Sequence, residues 1–256
     1  MILLNVLIYT VILFSLQEVA RRFRWLTWAA LIIAPAILIP FWSTHYTDIG
    51  WFELAKVYSV WIGCSWIMIC RFTHLKDKKW APFILYLILI INIAEAMIKG
   101  TEVGLPGYLL AISAFLLNAT LPTGQAITID KKSGNENLSW NVSPSWIIGY
   151  TIWNWSFVYF YIPTHTAIHA AVLASAFIAG LINHKIWAQA RFFTLALHLA
   201  SAALLTPFLL KHMGMPKILD PTMGLILAII SCGWMVVHTL YELSKTNYFA
   251  IPKYLD

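Results

Sequence analysis

Three polar residues inside one long apolar run are the first candidates for chemistry: Asn92, Glu95 and Lys99 in 82–100, PFILYLILIINIAEAMIKG. Steps of three and then four residues put all three on one helical face. A carboxylate inside a bilayer helix is costly enough to demand a protein interior and a partner. Glu95 would be the charged contact of a bound ligand, or the catalytic acid if the chain acted on a prenyl or other lipid substrate.

Lys56, in WFELAKVYS, is the cation placed to meet it. Each helical residue advances 1.5 Å, so Glu95, four residues before the end of its run, and Lys56, four to five after the start of its own, both sit roughly 6 Å below the same membrane boundary. Two pairings are open. Glu95 could meet Lys56 across helices, or Glu95 could pair with Lys99 and Glu53 with Lys56 as local pairs that snorkel to the headgroups.

A second polar stripe runs through SWIIGYTIWNWSFVYFYI, with Tyr150, Asn154 and Tyr161 on one side and Trp153 and Phe157 beside them. Asn154 at mid-depth requires a hydrogen-bond partner, from Asn92, Asn118 or a ligand. With Trp153 and Tyr159 as aromatic walls, Asn92, Asn154, Lys56 and Glu95 make a candidate ligand site. His165 and His169, four residues apart, could exchange protons with Glu95, and His169 joins the site on that ground. They lack the further ligands a metal needs, so no metal is expected. His198 shares a face with Arg191, Thr194 and Ser201, and His238 with Ser231, Trp234 and Glu242. A proton path from Glu95 through His198 to His238 and Glu242 is one reading; satisfied core histidines are the other. No GxSxG elbow, P-loop, GxGxxG or paired acidic cluster is present, so phosphate-driven chemistry and a cofactor are not expected.

The elements that must position these residues follow from composition. Of 256 residues, 60% are hydrophobic and only 11% charged, with mean hydropathy +0.74. That excludes an ordinary soluble domain and a disordered chain, and it predicts an all-α polytopic transmembrane bundle forming one domain. Apolar runs near the roughly 20 residues a span requires occur at 2–20, 26–43, 52–72, 81–99, 106–127, 145–162, 166–183, 190–210 and 222–242. The first lacks the basic start and cleavage site of a signal peptide and is read as a retained helix.

Nine spans predict alternating loops, and the cations obey that alternation. Arg21, Arg22, Arg24, Arg71, Lys76, Lys78, Lys79, Lys131, Lys132, Lys185, Arg191, Lys245 and Lys253 fall on one side; Lys56, Lys99, Lys211 and Lys217 fall on the other. By the positive-inside rule the amino terminus is outside and the carboxyl terminus cytoplasmic. The net charge of +6 thus reflects one membrane face, and no nucleic-acid partner is expected. Trp25, Trp80, Trp140, Trp146 and Trp187 would form the inner aromatic belt, Trp42 and Trp51 the outer one. The polar segment 130–144 reads as an exposed cytoplasmic connection. Short loops make sequential helices antiparallel neighbours. Cys64, Cys70 and Cys232 imply no disulfide framework.

The segments WFELAKVYS, LIINIAEAMIKG, WIIGYTIWNWSFVYFY and ARFFTLAL resemble a family of bacterial multispanning membrane proteins catalogued only as a domain of unknown function. The resemblance covers most of the chain and implies the cytoplasmic membrane of a bacterium. Asn92-Ile-Ala-Glu95 is also reminiscent of integral-membrane terpene cyclases, which place an acid in an asparagine-containing span. The leading expectation is an outward-facing polar and aromatic pocket, built by the third, fourth, sixth and seventh runs around Glu95. It would bind a small cationic or amphipathic molecule, drawn from solution or from the membrane lipids, for transport. The alternatives are a membrane enzyme acting on a lipid and a scaffold or interaction subunit. No pattern specifies an oligomeric state.

Overall fold

A chain that carries its apolar residues in long unbroken runs can satisfy its backbone in lipid only by coiling each run into a helix. The computed structural model describes residues 1–45, 50–78, 80–130, 136–217 and 220–245. The helices are α1 (Ile2–Arg22), α2 (Arg24–Trp28), α3 (Ala34–His45), α4 (Trp51–Phe72), α5 (Ala81–Gly100), α6 (Leu105–Thr120), α7 (Pro144–Tyr161), α8 (Thr166–Ile182), α9 (Trp187–Met213) and α10 (Pro221–Lys245). A π-helical turn, Ala29–Ile33, joins α2 to α3, so residues 24–45 form one continuous rod.

Each apolar run read from the sequence coincides with a helical rod. Among the described residues, six helical stretches are long and apolar enough to cross a membrane: Ile2–Arg22, Trp51–Phe72, Ala81–Gly100, Pro163–Ile182, His184–Met213 and Pro221–Lys245. The fifth run was expected to reach 127, but α6 stops at Thr120. Leu121 is extended (φ −66°, ψ 125°) because the following Pro122 disfavours helical backbone at the residue before it.

Sequential packing holds from α4 to α9, each helix lying against the next. It fails at both ends of the chain. α1 packs on α8 and α9, while α10 packs on α6 and α7. Polar side chains mark both seams. Tyr9 of α1 hydrogen-bonds Ser201 of α9 (2.8 Å), and Ser231 of α10 donates to Ser113 of α6 (3.1 Å). Small residues let helices close up, as in other membrane bundles. A Cβ built on Gly63 of α4 would lie 2.4 Å from the Phe192 ring of α9, so the approach of these two helices requires glycine there.

The segment expected to be an exposed connection is in part a packed hairpin. β1 (Ile127–Asp130) and β2 (Asn137–Trp140) pair antiparallel, with Ile127 opposite Trp140. Leu138, Trp140 and Val142 are buried. Their apolar bulk has a face to cover: β2 packs on α9. The Gln189 side chain fixes it there, accepting from Leu138 N (2.6 Å) and donating to Asn137 Oδ1 (3.2 Å).

The aromatic belt also needs correction. Trp25, Trp51 and Trp80 are exposed on the bundle surface, whereas Trp140, Trp146 and Trp187 are buried. Their indole nitrogens explain part of the difference. Trp146 donates to the Leu117 carbonyl and Trp140 to that of Pro122, so both have internal acceptors in place of headgroups. Lys79, Lys131, Lys132 and Lys253 lie outside the described residues, as do the side chains of Trp42 and Lys76.

Candidate functional site

Lys56 projects from the second turn of α4 towards α5. Its ammonium lies 3.2 Å from Glu95 Oε2, donates to the Asn92 carbonyl and sits 5.2 Å from the centre of the Phe52 ring. The Asn92 amide in turn donates to Ser59 Oγ of α4 (2.9 Å). Of the two pairings open in the sequence, the structure contains the one between helices. Lys99 turns instead to Glu102, 2.6 Å away, and the Tyr161 hydroxyl bonds both the Lys99 carbonyl and Glu102. Glu102 lies past the end of α5, where the Lys99 ammonium, with help from the Tyr161 hydroxyl, holds its carboxyl below the usual range.

Asn154 finds its partner on α8. His169 Nε2 lies 2.6 Å from Asn154 Oδ1, and the Asn154 amide donates to the Tyr150 hydroxyl at 3.4 Å. Arg191 reaches the same hydroxyl through Nε, also at 3.4 Å, with its guanidinium carbon 5.8 Å from the Tyr150 ring centre. His169, Asn154, Tyr150 and Arg191 thus form one polar chain across α8, α7 and α9. Neither Asn92 nor Asn118 is the Asn154 partner: Asn118 donates to the Ile90 carbonyl.

These two polar groups border a single cavity of about 670 Å³. Glu53, Lys56, Asn92, Asn154, His169, Arg191 and His198 supply polar lining, and Val60, Phe157, Leu195, Leu199 and Ala203 supply apolar lining. Lining residues on α9 run from Arg191 to Thr206, about 22 Å of helix at 1.5 Å per residue. Pro35 and Leu38 of α3 close one side.

Four of the seven ligand residues expected from the sequence therefore meet: Lys56, Asn92, Asn154 and His169. Glu95 stands behind Lys56 as its counter-ion and is not among the lining residues. Trp153 is buried with its indole donating to the Leu110 carbonyl of α6. Tyr159 faces the other way, its hydroxyl donating to the Asp220 carbonyl. The histidine relay is not assembled. His198 Nδ1 lies 3.0 Å from the Tyr9 hydroxyl, His238 Nδ1 lies 3.2 Å from Ser145 Oγ, and Glu242 pairs with Lys245. Among the described residues no group of three or more His, Cys, Asp or Glu could hold a metal ion.

Arg191 and Trp61 are the site residues that sequence reasoning missed. Arg191 reads as a loop cation if the eighth run starts at 190, but α9 begins at Trp187, which carries Arg191 into the second turn. Its position on one face with Thr194, His198 and Ser201 was the available signal. Trp61 lines the cavity with its indole nitrogen unpartnered, and nothing in its neighbours distinguishes it from a core tryptophan.

The chain matches DUF5692, a family of unknown function, over residues 1–117 and 107–252, and it belongs to that family. No curated protein and no solved structure matches it.

Proposed function

We propose that this member of DUF5692 is a nine-span protein of the bacterial cytoplasmic membrane, amino terminus outside and carboxyl terminus inside, that binds a small amphipathic molecule in the α4–α9 cavity for transport. One observation carries the reading. Polar side chains from five separate helices, α4, α5, α7, α8 and α9, converge on one cavity whose remaining walls are largely apolar. Such a lining, apolar with a few convergent polar groups, is what small-molecule sites generally present. The cationic ligand considered from the sequence loses its main contact, because the Glu95 carboxylate is already engaged by Lys56. Glu95 instead fixes the Lys56 ammonium at the cavity wall.

Native mass spectrometry of the purified protein tests this, comparing the wild type with Ala203→Trp, which fills the cavity. A small amphiphile retained by the wild type and lost from the variant, and then accumulated by proteoliposomes containing the wild type, supports the reading. Identical bulk-lipid adducts on both proteins would sink it.

A further inference from the structure

Among the described residues, one cation on the cavity wall has no ion-pair partner, and its chemistry names a ligand class. Arg191 is only 5% exposed. Its guanidinium makes one long hydrogen bond, to the Tyr150 hydroxyl, and Nη1 has no partner. Among the described residues no carboxylate forms an ion pair with it. A buried charge without a counter-ion carries a large desolvation penalty that well-placed partners normally repay. The other lining cation, Lys56, is neutralised by Glu95, so the uncompensated charge is that of Arg191. Trp61 adds a second donor without an acceptor. One carboxylate, Glu53, also lines the cavity, but among the described residues no ion pair joins it to Arg191, so the guanidinium itself is without an anion.

Building on the cavity reading above, we infer that the occupant is an amphiphile with an oxyanion head, a carboxylate or phosphate ester. The head binds Arg191 and the aliphatic part lies along Leu195, Leu199 and Ala203. Guanidinium is suited to such heads, since its planar fork matches the oxygens of carboxylate and phosphate in pairs. Asn154 and His169 contribute by placing Tyr150, which engages Nε and leaves Nη1 without a partner. The apolar residues follow Arg191 along α9 at i+4, i+8 and i+12, so head and tail sites lie in line on a single helix face.

Titration calorimetry on the full chain in zwitterionic nanodiscs tests the assignment with decanoate, decyl phosphate, decyltrimethylammonium, decanol and inorganic phosphate. Decanoate or decyl phosphate should bind about 10- to 100-fold more tightly than the cationic and neutral probes, the range expected for one charge-assisted hydrogen-bond pair. Arg191→Gln should erase that ranking and Arg191→Lys should keep part of it. Because Arg191→Gln could misfold, the ranking by the wild type alone also decides. Head-group-blind binding of all decyl probes overturns the oxyanion inference and leaves the cavity reading standing. Inorganic phosphate matching decyl phosphate shows a free anion as the ligand and overturns the amphiphile. No binding by any probe overturns both.

Discussion

Separating Lys56 from Glu95 should cost more than a surface ion pair and less than a fully dry one. At 3.2 Å the Coulomb attraction is about 5 kcal/mol for an effective dielectric near 20, from which desolvation of both groups must be subtracted. Each side chain is about one-fifth exposed, 21% and 22%, so solvent screens part of the attraction as well. The Asn92 carbonyl, which also accepts from Lys56, continues to hold the ammonium when the acid is gone. A coupling of about 1–3 kcal/mol remains, below the 3–5 kcal/mol of fully buried pairs. The assay is a double-mutant cycle of Lys56→Met, Glu95→Gln and the double variant, followed by denaturant unfolding in detergent micelles. Each single variant should be less stable than the double, because each strands one charge that the double removes. A coupling under about 0.5 kcal/mol, or a double variant as impaired as the sum of the singles, would refute the view that this pair joins α4 to α5.

Other regions make independent predictions. Gly63→Ala should destabilise the fold by about 1–3 kcal/mol through overpacking, and Phe192→Ala in the same chain should relieve much of the clash, as thermal unfolding would register. Gln189→Ala deprives the buried Leu138 N–H of its acceptor, so amide exchange across 137–140 should accelerate, consistent with a loss of about 1–3 kcal/mol. Glu102→Gln should lower stability only where the wild-type carboxyl is ionised. Its folded-state value is depressed, so its contribution is complete above the ordinary glutamate value and disappears as pH falls through the lower one. Melting curves of wild type and variant should therefore converge in acid.

Backbone-level features were the easiest to read from sequence. Apolar run length located every rod, because hydrogen-bond satisfaction in lipid leaves little alternative. The Lys56–Glu95 contact was legible as a match of depths, since both residues count from the same boundary. Side-chain partners between helices were harder. Asn154 could have met any polar residue at its level, and no periodicity distinguishes His169 from Asn92. The hairpin was missed because β1 and β2 are only four residues each, bracketed by polar residues that dominate the composition of 130–144. Arg191 was misplaced because a three-residue error in a helix start moves a cation from a loop into the interior, a difference within ordinary boundary scatter.

Immediately beneath Arg191 the bundle is stoppered by rings. Tyr150 stacks on Trp146 with centroids 5.4 Å apart and meets Trp187 edge-on at 5.1 Å, and Gln189 pins the strand pair beside them. A solute bound at Arg191 as proposed would meet this ring cluster at one end of its site, and passing that way would require the cluster to come apart and α9 to release its strands.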